Sequence, residues 1–88
     1  IIGNYPNPFN PSTTISFMLP QREFIEINVY NSLGELINKL AYREFESGEN
    51  KISWQGTDRN GEPVSSGIYF YKIKSTEKML TGKMVLQK

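Results

Sequence analysis

Apolar side chains recur at every second position through most of this chain, and no segment carries the sustained repeat of a helix. In "TTISFML" (13–19) Ile15, Phe17 and Leu19 share one face; in "FIEINVY" (24–30) Ile25, Ile27 and Val29 do so, with Glu26 and Asn28 opposite. Both read as strands with one wet side. "KISWQG" aligns Ile52 with Trp54, and "LTGKMVLQK" aligns Met84 with Leu86 as an inward pair. "GIYFYKIKS" puts Tyr69, Tyr71 and Ile73 on one face and Ile68 and Phe70 on the other, the pattern of a central strand covered on both sides at its start. In "ELINKLA" two parities compete, Leu36, Asn38 and Leu40 against Ile37, Lys39 and Ala41. A strand is expected there, with a short helical turn as the alternative.

Turn chemistry bounds every candidate strand. Asn60-Gly61 supplies the positive φ of a tight turn, "NSLGE" (31–35) holds Gly34, Gly48 lies between apolar runs, and "SSG" (65–67) precedes the densest aromatic strand. Six strands are expected, seven if Arg43 to Glu46 also pairs. The fold class is all-β, an antiparallel immunoglobulin-like β-sandwich of six to seven strands over residues 13–88.

Before the first of these strands the chain stiffens itself. Pro6, Pro8 and Pro11 cannot donate to a ladder, fix φ near about −65°, and hold Tyr5, Asn7 and Asn10 extended. Residues 1–12 therefore read as a polyproline-like lead-in that docks on the domain, with Tyr5 and Phe9 as its apolar anchors. It would act as a clasp setting where an upstream domain ends and this one begins.

At 88 residues the chain holds one modest core, to which five Phe, five Tyr and one Trp contribute. Ten basic against nine acidic residues leave a formal charge of +1, interspersed along the chain. That is no footprint for nucleic acid or an anionic membrane, and no apolar run is long enough to span a bilayer as a helix. Cysteine and histidine are both absent, which excludes disulfides, Ser-His-Asp and Cys-His catalysis and most transition-metal sites. The chain starts at Ile1 without Met, so it is expected to be a piece of a longer protein whose secretory signal would lie upstream.

Four features invite chemistry. "TDRNGEPVSSG" offers Asp58, Asn60 and Glu62 to calcium, but Pro63 follows and no terminal bidentate carboxylate completes the frame; Asp58 is expected to be a turn former instead. Trp54, Tyr69 and Tyr71 would suit a sugar face, yet strand parity assigns them to the core, leaving only Tyr30 and Tyr42 freer. Glu23, Glu26, Glu44, Glu46, Glu49, Asp58 and Glu62 show no marked pair of the kind glycoside hydrolysis needs. The lysines of "KIKSTEKMLTGK" flank a hairpin tip at Ser75 to Lys78 and read as edge protection rather than a binding patch. No enzyme activity, metal or cofactor is expected.

The opening "YPNPFNPSTTISFMLP", then "VYNSLGELI", "WQGTDRNGEPVSSGIYFYKI" and the closing "GKMVLQK" together resemble the C-terminal sorting domain of type IX secretion cargo. The third stretch is also similar to the immunoglobulin-like domain of the flagellar hook capping protein. The resemblance covers essentially the whole chain. It rests on Tyr5, Pro6, Asn7, Pro8 and Phe9, on Tyr30, Asn31 and Gly34, on Trp54, Gly56, Asp58, Gly61, Val64, Ser66, Gly67 and Tyr69, and on Lys83, Met84 and Val85.

The resemblance implies a non-catalytic tail on a larger exported cargo. Its partners would be the upstream cargo domain, the outer-membrane secretion machinery and a sortase-like enzyme. The domain itself is expected to be monomeric, and its destination would be the cell surface or the medium, by way of the periplasm. A label of this kind has to offer a strand for a receptor to grip; Lys83, Met84, Val85 and Leu86 in the last strand are the expected contact. The alternatives are an accessory spacer or carbohydrate-binding module on a secreted hydrolase and, more remotely, hook-cap assembly.

Overall fold

Alternation of apolar and polar side chains resolves into seven strands among the described residues, which are 2–88 of the computed structural model. Ile1, the first residue of the expected lead-in, lies outside them. The strands are β1 (Ile2–Tyr5), β2 (Thr13–Leu19), β3 (Glu23–Asn31), β4 (Leu36–Phe45), β5 (Gly48–Trp54), β6 (Gly67–Lys74) and β7 (Met79–Leu86). One sheet has the order β1-β2-β5 and the other β4-β3-β6-β7, with every pairing antiparallel.

The inward faces meet as the alternation requires. Ile15 and Phe17 from β2 and Trp54 from β5 lie against Ile25, Ile27 and Val29 from β3, Tyr69, Tyr71 and Ile73 from β6, and Met84 and Leu86 from β7, all of them buried. Aromatic rings join the two layers at edge or tilted angles, Phe9 on Trp54 at 5.6 Å between centroids, Trp54 on Tyr69 at 5.2 Å and Phe17 on Phe45 at 5.3 Å. Such pairs contribute about 0.5–1.5 kcal/mol each beyond the area they bury. The Tyr69 hydroxyl donates back to the Ser65 carbonyl at 2.6 Å, the tyrosine-corner arrangement typical of immunoglobulin-like sandwiches.

Three expectations change. The seventh strand is β1, within the proline-rich lead-in; Arg43 to Phe45 continue β4 instead of forming a strand of their own. The competing parities of residues 36–41 come from two register shifts, opposite Ile27/Asn28 and Val29/Tyr30, where β4 inserts an extra residue. These bulges let both Ile37 and Leu40 pack against the core although they belong to opposite parities. Finally, β6 is central in its sheet but covered on one face only: Ile68 is 45% exposed, because a two-layer sandwich places nothing over its outer faces.

Two turns share one design that the sequence reading treated separately. Asn31 Oδ1 accepts the N–H groups of Leu33 and Glu35 while Gly34 N–H bonds the Asn31 carbonyl. Asp58 Oδ1 accepts from Asn60 and Glu62 while Gly61 N–H bonds the Asp58 carbonyl. Gly34 at φ 85° and Gly61 at φ 83° stand at the third position after the Asx residue in both, where a side chain would be strained. Asp58 thus organises its turn through backbone N–H groups.

Burial pushes the phenols of Tyr69 and Tyr71 above their ordinary value of 10.0. The folded state therefore favours the neutral phenol, and that stabilisation is complete below the unfolded pKa and lost as pH rises through the raised folded values. Thermal melts in low salt from about pH 8 to about pH 11 should show a level melting temperature that falls above about pH 10. A melting temperature still level at the top of that range would contradict this burial.

Candidate functional site at the terminal strand

The prolines leave the opening segment short of N–H donors, and the chain compensates with the side chain of Asn7. Its Nδ2 donates to the Lys83 carbonyl at 3.2 Å and its Oδ1 accepts the Val85 N–H at 2.9 Å. Two residues on, Phe9 continues the contact with its backbone: its N–H donates to the Val85 carbonyl at 2.9 Å and its carbonyl accepts from Gln87 at 3.0 Å. Together these groups occupy the outer edge of β7 from Lys83 to Gln87. The segment is held from the other side by Thr13, whose hydroxyl donates to the Pro6 carbonyl at 2.7 Å and accepts from Asn4 Nδ2 at 3.2 Å.

The lead-in is accordingly bent around Phe9, with bends at residues 6–8 and 10–11, and not a polyproline-like rod. Of its two expected anchors only Phe9 is one, at 2% exposed; Tyr5 is 83% exposed. Tyr5 ends β1 opposite Thr14, and its side chain alternates to the wet side. Asn7→Ala should lower stability by about 1–2 kcal/mol through loss of both edge bonds, a fall of several degrees in melting temperature. Unchanged hydrogen exchange at Val85 in that variant would show that the amide does not hold the edge.

Most family-motif positions serve the scaffold. Trp54 Nε1 donates to the Thr57 carbonyl at 2.8 Å. Gly56, at φ 71°, lies where a Cβ would come within 3.2 Å of the Pro11 carbonyl and 3.5 Å of Leu86. Val64 is half-buried against the core and donates its N–H to the Gly56 carbonyl. Ser66 Oγ accepts the Lys88 N–H at 3.1 Å, and Gly67 opens β6 at φ 154°. Tyr30 stands on the wet face of the four-stranded sheet beneath the Lys72 ammonium, 4.8 Å from its ring centre.

Of the four residues expected to meet a receptor, Met84 and Leu86 are buried at 0% and 2% exposed, whereas Lys83 and Val85 alternate outward. Trp54, Tyr69 and Tyr71 lie in the core and offer no platform to a sugar. On the wet face Glu26 lies below the usual carboxylate range, first because Asn28 donates to it at 2.9 Å and also because Lys39 and Lys74 stand near, against the opposing effect of burial. Asn28 is 9% exposed and its Oδ1 has no partner among the described residues. Among those residues no group of three or more Asp and Glu gathers as a cation site.

One cleft of about 230 Å³ opens at the end of the sandwich where β2 finishes and β7 begins, lined by Phe17, Leu19, Ile25, Ile73 and Leu80 among others. It was not legible in the sequence, since its walls come from strands of both sheets and from the turn at residues 75–78.

Two facing antiparallel sheets tied by a tyrosine corner define an immunoglobulin-like sandwich, with its last strand clasped by its own N-terminal segment. The chain belongs to the secretion system C-terminal sorting domain family, whose model matches residues 4–87. Solved structures share the fold. PorU from Porphyromonas gingivalis, described as dimeric and latent, matches with TM-score 0.76 and 20% identity over 97% of this chain and 9% of its own. PorZ, described as an essential bacterial surface component of the type IX secretion system of P. gingivalis, matches with TM-score 0.70 and 18% identity over 99% of this chain and 11% of its own. FlgD from P. aeruginosa matches with TM-score 0.68 and 22% identity over 85% of this chain and 59% of its own. The chain thus spans about a tenth of the two P. gingivalis proteins and less than two thirds of FlgD. No curated protein matches.

Proposed function

We propose that this domain is a non-catalytic sorting label that directs a larger protein, carried in the same polypeptide, across the outer membrane by the type IX route to the cell surface or medium. The partners are the outer-membrane machinery and a sortase-like enzyme that acts on the delivered cargo. Membership of the sorting-domain family over residues 4–87 carries this reading. The fold supports it physically: a small unit that closes its own core presents one fixed surface, whichever cargo precedes it.

Deleting Gly82 to Lys88 would be a poor test, because it removes Met84 and Leu86 from the core and unfolds the domain. The clean experiment adds the whole domain. A periplasm-directed reporter carrying residues 2–88 at its C-terminus should leave a bacterium with a type IX system, while the reporter alone stays in the periplasm. Equal retention of both would overturn the proposal.

A further inference from the structure

The outward face of the four-stranded sheet is not an ordinary wet face. Half of the large apolar and aromatic side chains exposed among the described residues stand on it: Phe24, Tyr42, Ile68 and Met79. Cross-strand register fixes where they lie. Tyr42 and Met79 flank the row that holds Glu26 and Lys74, and Phe24 follows next along β3. Ile68 stands at the opposite end of the sheet, beyond Phe70 and across from Val85.

Between these apolar ends runs a band of charge. Lys39, Asn28 and Lys72 are cross-strand neighbours in one row, and Glu26 and Lys74 are neighbours in the next. The Lys39 ammonium lies 3.7 Å from Glu26 and 4.9 Å from the Tyr42 ring centre, and the Lys72 ammonium lies 4.8 Å from the ring centre of Tyr30. Both cations therefore stand on this face. Glu26 is the one acid in the band, and Asn28 already donates to it at 2.9 Å. Lys72 and Lys74 have no salt bridge among the described residues. Glu44, at the corner beside Phe24, is answered by Arg22 at 2.7 Å. Between Lys39 and Lys72 the buried Asn28 keeps an unmet acceptor, its Oδ1. The centre of the face thus carries more cations than anions, with apolar side chains at either end.

That order of groups selects the occupant. A bilayer surface takes the opposite order, with an apolar centre that inserts and lysines around it that reach the headgroups. A second copy of this domain would set the same ammonium groups against each other. An uncharged surface would bury the cations of the band without compensation, which is strongly unfavourable. We infer that the outward face of the four-stranded sheet, centred on Lys72 and Lys74, docks a protein partner that presents two carboxylates between apolar side chains. The two lysines are alternate residues of β6, so the carboxylates that match them stand about 7 Å apart. The inference rests on the sorting reading and names the surface by which the secretion machinery recognises the domain.

The test uses the 88-residue chain and outer-membrane fragments from a bacterium with a type IX system. Binding should weaken as salt is added, disappear when protease strips the fragments, and be absent from vesicles of their extracted lipids. Lys72→Glu with Lys74→Glu should weaken it at least about tenfold, with Trp54 emission and melting temperature close to those of the parent. Tyr42→Ser with Ile68→Ser, which removes an apolar group from each end of the face, should weaken it as well. Lys51→Glu with Lys78→Glu makes the same reversal off this face and should leave binding unchanged. No binding to the fragments, binding that survives protease, binding to the lipid vesicles, folded Lys72 and Lys74 reversals that bind as the parent does, or a dimer formed through this face would overturn the inference.

A periplasm-directed reporter carrying the domain with the Lys72 and Lys74 reversals separates this claim from the one beneath it. It should stay in the periplasm. Normal export of that reporter, when the reporter without the domain is retained, would overturn the face as the recognition surface and leave the sorting reading standing. Export without the domain would overturn both.

Discussion

Phe9→Ala is expected to cost about 3–5 kcal/mol, a large part of the roughly 5–15 kcal/mol that holds a small domain folded. Phe9 is the core residue of the proline-rich segment, 2% exposed and packed at a tilt on Trp54 with 5.6 Å between ring centres. Its backbone carries two of the bonds that close the β7 edge. Truncation opens a cavity beside the only tryptophan, so urea unfolding followed by Trp54 emission reports the loss where it occurs. Tyr5→Ala supplies the contrast. Tyr5 is 83% exposed, and its removal should change stability by no more than about 0.5 kcal/mol. Equal effects at the two positions would mean that the segment is not part of the core.

The second large effect comes from adding an atom group. Gly82→Ala should destabilise by about 1–3 kcal/mol, although alanine is ordinarily the better strand residue of the two. The reason is Tyr71, the cross-strand partner of Gly82, whose ring lies over the glycine so that a Cβ there would overlap it. Tyr71 is 2% exposed and cannot swing into solvent without emptying the core. In a Tyr71→Ala background the same Gly82→Ala change should become neutral or stabilising. That change of sign, measured as a double-mutant cycle, distinguishes an overlap from a general intolerance of β7. A cost that persists without the ring would refute the account.

Strand parity carried much of the fold because burial in a two-layer sandwich is decided residue by residue along each strand. Ile15, Phe17, Ile25, Ile27, Val29, Trp54, Tyr69, Tyr71, Met84 and Leu86 all face the core as their spacing requires. Parity fails where the ladder itself slips. The bulges of β4 are set by its partner β3, and nothing local to residues 36–41 announces them. Ile68 misleads for a related reason: its apolar character says nothing about whether a third layer exists to cover it. Tyr5 and Phe9 differ in burial through the bend between them, which the anchoring bonds to Val85 and Gln87 impose from the far end of the chain.

The candidate site was less legible still. The motif stretches locate the turns, the tyrosine corner and Phe9, and thereby the family, but they describe what closes the sandwich more than what meets a receptor. The expected contact at Lys83 to Leu86 alternates between core and surface, and its outward backbone is already bonded to Asn7 and Phe9. An edge is a property of sheet order, and the order β4-β3-β6-β7 emerges only once all long-range pairings are made.

The bonds between Phe9 and residues 85 and 87 also order events during synthesis. Phe9, made early, has to wait for Val85 and Gln87 before its polar backbone and its ring are both accommodated, so its closure follows the pairing of the strands between them rather than forming an early nucleus. A polypeptide broken off before residue 85 would leave that backbone without its partners.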